Sequence, residues 1–160
     1  MGLFLMTLPA DSQDINWMTW EQAAEANEKA PRKIFVDVYT DWCGWCKKMD
    51  ATTFQDSMVI DYLNTHFYAV KLNAEQKESI VWRDQEYQWI PYKRDGVNQL
   101  AYDLLNGQLS YPTYVIMDSA FSRILVAPGY IEPADIMKEL RFAAEEYYKK
   151  TTWQAYKAKS

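Results

Sequence analysis

Histidine occurs once in these 160 residues and cysteine twice. A structural zinc site takes four ligands, and His66, Cys43 and Cys46 cannot supply them. A secreted domain built on disulfides would scatter more cysteines along its length. Basic residues are also outnumbered, 17 Lys and Arg against 22 Asp and Glu, for a net charge of −5. Nucleic-acid binding, which wants a basic face, is therefore set aside. No apolar run approaches the ~20 residues of a membrane span, and no repeat, low-complexity tract or linker divides the chain. The N-terminus lacks a basic residue before Lys29, and its apolar stretch Leu3-Phe4-Leu5-Met6-Thr7-Leu8 is short for a secretory signal. Residues 1–14 are expected to be either the tail of a truncated signal or an arm packed on the domain.

What is present is ordinary globular composition, 49% hydrophobic and 24% charged. A single domain over 1–160 is long enough to bury its own core. Seven Trp and twelve Tyr call for large buried surfaces, with some aromatics left for a binding face. Both cysteines fall in Asp41-Trp42-Cys43-Gly44-Trp45-Cys46-Lys47-Lys48, directly after the apolar run Ile34–Thr40. A strand running into Cys-x-x-Cys at the start of a helix is the geometry of a dithiol redox centre. With no third thiol to compete, the pair can cycle cleanly between dithiol and disulfide. Asp37 interrupts the apolar strand, where a carboxylate is costly without a partner or a task. An edge-facing, solvated Asp is the plain alternative; the cysteines six residues on favour a functional one.

Around this centre the pattern alternates. Ile15–Met18 reads as a short edge strand or extended segment. Thr19-Trp20-Glu21-Gln22 is a capping box, opening a helix to about Lys29. Helix from Cys43 to Met49 follows the strand at Ile34–Thr40. Asp56 or Ser57 caps a further helix whose apolar face is Val59, Ile60, Leu63 and Phe67, and Tyr68–Leu72 is a strand. This order predicts parallel strands with crossover helices. Glu75–Tyr92 is polar and aromatic, with Gln85–Trp89 as part of a hairpin. Val97–Leu105 reads as helix, stopped at Gly107. Thr113–Met117 and Arg123–Ala127 should pair antiparallel. Pro133 opens a last helix with a buried stripe of Ile136, Leu140, Ala144 and Tyr147, and the tail with Trp153 and Tyr156 docks or frays.

Five matches in order make the chain resemble the thioredoxin superfamily, over roughly residues 30 to 145: Val36-Asp37 before the motif; Trp42-Cys43-Gly44 with Cys46-Lys47; Lys71-Leu72-Asn73; Tyr111-Pro112-Thr113; and Gly129. Within the superfamily the motif is similar to bacterial thioredoxin-like proteins reading Trp-Cys-Gly-Trp-Cys-Lys. The resemblance implies an α/β thioredoxin-like fold, a central mixed sheet flanked by helices, with an insertion at 75–107 before the cis-proline strand. Trp45 stands where thioredoxin has proline, and 40 residues lie between Lys71 and Pro112, a longer gap than in thioredoxin.

A thiolate is the attacking species in thiol–disulfide exchange, and a helix N-terminus favours negative charge. Cys43 is accordingly expected as the exposed nucleophile and Cys46, one turn deeper, as the resolving thiol. The resemblance implies that Asp37, paired with Lys71, relays the proton of Cys46. It further implies a cis Tyr111–Pro112 bond, with the Tyr111 main chain, Gly44 and Trp42 contacting an extended substrate. Trp45 is expected at the rim, exposed. The expected activity is a protein-disulfide reductase with no cofactor beyond the Cys43–Cys46 pair, serving protein substrates and an upstream electron donor as a monomer. Its compartment would be periplasmic or otherwise extracytoplasmic, with the cytoplasm as the alternative. Rival readings are a copper(I) carrier using two thiolates, a partner-binding module with little turnover, and an oxidase or isomerase sharing the same site.

Overall fold

The computed structural model describes residues 13–160, so most of the arm-or-signal segment 1–14 lies outside the described residues. The chain runs β1 (Trp17–Met18), α1 (Trp20–Lys29), β2 (Lys33–Tyr39), α2 (Gly44–Ala51), α3 (Ser57–His66) and β3 (Phe67–Asn73). Two short hairpins follow, β4 (Ile80–Trp82) with β5 (Gln85–Tyr87) and β6 (Trp89–Tyr92) with β7 (Asp95–Asn98), and then α4 (Gln99–Leu104). β8 (Thr113–Met117), β9 (Arg123–Pro128), α5 (Pro133–Ala144) and α6 (Trp153–Lys157) complete it.

Five strands form one mixed sheet in the order β1-β3-β2-β8-β9. β1 and β2 both run parallel to β3, whereas β8 is antiparallel to β2 and β9 to β8. β2, the middle strand, is apolar because both its faces are covered. Side chains alternate across a strand. Ile34, Val36 and Val38 thus enter the core with Trp20 of α1 and Leu100 of α4. Phe35 enters the opposite core with Met49, Leu63 of α3 and Leu140 of α5. Each such fully buried side chain contributes roughly 1.5–3 kcal/mol. The same alternation sends Asp37 to the Phe35 face.

The capping box at Thr19 forms with both of its bonds, and Asp56 caps α3 through the Met58 and Val59 amides. Several expected boundaries shift. Phe67 leaves α3 and opens β3, still buried because the strand continues into the same core. Val97 and Asn98 belong to β7 and only Gln99–Leu104 is helical; hairpin pairing with Ile90 and Trp89 outweighs the helical apolar spacing. Gln85–Tyr87 pairs with Ile80–Trp82, while Trp89 joins the second hairpin. Arg83 and Asp84, the two turn residues of the first hairpin, both have positive φ, the mark of a type I′ turn. Gly107 stops α4 with φ +70° and its amide on the Tyr102 carbonyl. Tyr147 is exposed, because α5 ends at Ala144; Phe142 and Ala143 are buried instead. The tail docks, with Trp153 and Tyr156 packed on the Phe142 ring.

Candidate active site around Cys43 and Cys46

β2 delivers the chain to the site and α2 begins in it. Cys43 is the N-cap of α2 and is joined to Cys46 as a disulfide. Its sulfur accepts the Cys46 amide at 3.1 Å, so an otherwise unpaired N–H of the helix start points at sulfur. That polarity favours negative charge on Cys43 once the bond is reduced. The expected exposure of Cys43 is overturned: only 4% of its surface is accessible, and 2% of that of Cys46. The Cys43 side chain turns inward to bond its partner and cap the helix, and the flanking Trp42 and Trp45, 65% and 57% exposed, take the solvent instead. Between them Gly44 is exposed, and an added Cβ there would meet nothing within 4 Å.

Beneath the helix lies a half-buried charge cluster built on one buried carboxylate. Asp37 and Lys71 pair across β2 and β3, with Lys71 Nζ 2.5 Å from Asp37 Oδ2. Lys71 also bonds Asp50 of α2 and sits over the rings of Trp17, Tyr39 and Phe54. Asp37 is 2% exposed and its second oxygen, Oδ1, has no hydrogen-bond partner. Burial pushes its carboxyl up to about 6, against the pull of Lys71 in the other direction. Lys71 is held above its ordinary value; burial, the largest influence, opposes this, and the two aspartates outweigh it. Among the described residues Asp37 makes no hydrogen bond to either cysteine. Asp50 links the cluster to the cysteine helix, and sequence reading missed it because an Asp amid Lys47, Lys48 and Met49 reads as a solvated helix face.

Two aromatic pairs flank the disulfide. Trp42 meets Tyr111 edge to face, with centroids 5.9 Å apart, and its indole N–H reaches both carboxylate oxygens of Glu75, at 3.0 and 3.1 Å. On the other side Trp45 packs beside Tyr130 at 5.6 Å, with Lys48 over both rings. The Tyr111–Pro112 bond is cis, and Pro112 is tied to the start of the next segment by the Gly129 amide on its carbonyl at 2.7 Å. Burial, then the Glu75 carboxylate, pushes the Tyr111 phenol up to about 12, so it stays neutral. Glu75 and Tyr130 were not expected from the sequence; neither lies near the cysteines along the chain, and only the fold brings them in.

Of the expected residues, Cys43 is therefore joined to Cys46, Asp37 to Lys71 and Trp42 to Tyr111, while Trp45 stands apart on the far flank. His66 ends α3, exposed, with its ring on Tyr62. Among the described residues no group of three or more His, Cys, Asp or Glu side chains could hold a metal, and no helix is long and apolar enough to cross a membrane.

Comparison with known proteins gives the same frame. A solved structure named DsbH Oxidoreductase is similar at TM-score 0.61 and 17% identity, over 91% of this chain and 94% of that one; at that identity the likeness is one of fold. The thiol:disulfide interchange protein DsbD of Pseudoalteromonas atlantica is 32% identical over 66 residues, 41% of this chain and 11% of that protein. An uncharacterized protein of Caenorhabditis elegans, B0495.5, is 31% identical over 67 residues, 41% of this chain and 9% of that one. The chain thus spans about a tenth of the length of these curated relatives. The family described as "Protein of unknown function, DUF255", the thioredoxin-like DsbH family, matches residues 5–157, and the chain belongs to it.

Proposed function

We propose that the protein is a thiol–disulfide oxidoreductase that reduces disulfides in protein substrates. The observation that carries this reading is the Cys43–Cys46 disulfide at the N-cap of α2, its sulfur already receiving a backbone N–H. In the reduced form the Cys43 thiolate attacks one sulfur of a substrate disulfide; a mixed disulfide forms and the first substrate thiolate leaves, taking up a proton. Cys46 then loses its proton and attacks Cys43, closing the Cys43–Cys46 bond and releasing the second substrate thiol. Two electrons pass from the protein to the substrate, and an upstream dithiol donor must restore them.

Asp37 is suited to the second step. Its Oδ1 is buried and unpartnered, and a carboxyl titrating near 6 can both take a proton and return it near neutral pH. Lys71 holds the other oxygen, so the carboxylate stays oriented while it titrates. Trp42, Gly44, Trp45, Tyr111 and Pro112 form the surface that a substrate strand meets. An extracytoplasmic location belongs to the same reading, through the family resemblance; an alkylation assay on fractionated cells would test it.

The direct test is insulin reduction with dithiothreitol as donor. Wild type should accelerate precipitation of the insulin B chain and Cys43→Ser should not; a wild-type rate equal to background would sink the proposal. Equilibration with glutathione then fixes the direction. A potential near that of thioredoxin, about −270 mV, marks a reductant, and one near about −120 mV an oxidant.

A further inference from the structure

The hairpin β6–β7 does not stop at the core; its tip shares a cleft with Trp42, the residue before Cys43. Trp42, Glu75, Tyr92, Lys93, Arg94 and Tyr111 are among the residues that line a cleft of about 400 Å³. Trp42 adjoins Cys43 and Tyr111 adjoins Pro112, so the cleft opens beside the reactive pair. Its walls are aromatic, from Trp42, Tyr92 and Tyr111, with Leu109 between. Its rim is basic on a chain whose net charge is −5: Lys93 and Arg94 are both exposed turn residues, and among the described residues neither makes an ion pair. Two carboxylates also line the cleft: Glu75 keeps its charge at the inner wall while accepting the Trp42 indole N–H, and Asp95 follows the two cations, so the positive charge is confined to the turn at Lys93 and Arg94.

The hairpin is also held in place. Asn98, fully buried, donates to the Glu78 and Tyr87 carbonyls and accepts from Leu100, and its own amide bonds Ala74. The Trp89 ring lies across Gly96, where an added Cβ would come within 2.0 Å of it. The result is an aromatic-walled cleft next to Trp42 with an anchored base and two cations at its turn. We propose that it selects the substrate by taking a polypeptide segment next to the cysteine being reduced, an apolar side chain entering between the rings and an adjacent acidic one meeting Lys93 and Arg94. This rests on the thiol–disulfide reading above and names its substrate class.

The test is single-turnover oxidation of the pre-reduced protein, followed by tryptophan fluorescence. The oxidants are disulfide-linked peptides flanked by Phe-Glu, Phe-Lys or Ser-Glu, and bis(2-hydroxyethyl) disulfide as a reagent too small to use the cleft. Each peptide rate is divided by the same protein's rate with the small reagent. Wild type should favour Phe-Glu over Phe-Lys by about 3- to 10-fold at low salt, less at high salt, and Phe-Glu over Ser-Glu as well. Lys93→Asp/Arg94→Glu should abolish or reverse the charge preference; Arg94→Gln, which adds no new charge, should reduce it part-way and serves if the double variant misfolds. Equal normalised rates for Phe-Glu and Phe-Lys in wild type, or an unaltered preference in the folded variants, would overturn the proposal. Failure of the small reagent to oxidise the reduced wild type would instead overturn the thiol–disulfide reading itself.

Discussion

Asp37 and Lys71 stand directly opposite each other on parallel strands, in register from Lys33↔Phe67 to Tyr39↔Asn73. The pair is inside the sheet's covered face, and a third charge, Asp50, comes from the cysteine helix. Three ionised groups in one half-buried site make the region sensitive to protons in a predictable way.

Asp37 should make the protein less stable at neutral pH than in mild acid. Its carboxyl titrates at about 6 in the folded chain against 3.8 in the free residue. Between those values the folded state holds the extra proton, so stability falls as pH rises through that window and stays reduced above it. The contribution is on the order of 3 kcal/mol. Urea unfolding at pH 4 and pH 7 should show a drop larger in wild type than in Asp37→Asn by about 2 kcal/mol, since the unfolded chain is already more than half ionised at pH 4. Equal drops would show that Asp37 titrates normally.

Lys71→Met and Asp50→Asn should move the Asp37 titration in opposite directions. Lys71 favours the Asp37 carboxylate while Asp50 disfavours it, so removing Lys71 raises the midpoint above about 6 and removing Asp50 lowers it. Carbon-detected NMR of the Asp37 carboxyl reads this directly. Shifts of the same sign would mean that the two residues act only through packing.

Asn98→Ala should cost about 2–3 kcal/mol, since it strips the N-cap of α4 and leaves the buried Tyr87 carbonyl and the part-buried Glu78 carbonyl without their donor. Asn98→Asp keeps the cap but sets a buried carboxylate against those two carbonyl oxygens, and should cost at least as much. Denaturant midpoints at constant m-value provide the measurement; a loss below about 0.5 kcal/mol for Ala would mean that water replaces the amide.

Gly96→Ala should disturb the second hairpin alone. The new methyl group would overlap the Trp89 ring, and overpacking of this kind costs about 1–3 kcal/mol. Amide shifts should concentrate at residues 89–98 and at Trp42 and Tyr111 across the cleft. Shifts spread through β2 and β3 would show that the hairpin is not a separate unit.

The sequence was most legible where one local rule decided the outcome. Thr19 and Gln22 cap each other within one turn, and the Ile34–Thr40 run can only be a doubly covered strand. Asp37 was legible because it broke that run. Reading failed where partners are distant or the chemistry is unmarked. Arg83-Asp84 and Lys93-Arg94 turn two hairpins without an Asn-Gly or Asp-Gly at the turn itself, so the sequence points to one hairpin around Gln85–Trp89 and to helix from Val97, and not to the four strands β4 to β7. Asp50 and Glu75 look like surface charges until the fold sets them against Lys71 and Trp42. The depth of Cys43 was misjudged because a helix N-terminus says where a sulfur is, not which way it turns.

The stretch from Ala74 to Tyr111 leaves the sheet at the end of β3 and returns to it at β8. Its departure is fastened by the Ala74 amide on the Tyr39 carbonyl at 2.8 Å and by Asn98 on Ala74 at 2.7 Å. Neither Cys43 nor Cys46, nor Asp37 or Lys71, lies within it. The excursion thus divides its work: Ile80, Tyr87 and Val97 enter the core shared with Val36 and Val38, while the exposed turn at Lys93 and Arg94 is free to change in reach and charge as the reacting sulfurs and their proton store stay where the sheet holds them. Exchanging the exposed turn between Tyr92 and Asp95 would retune which proteins are met without rebuilding the chemistry that meets them.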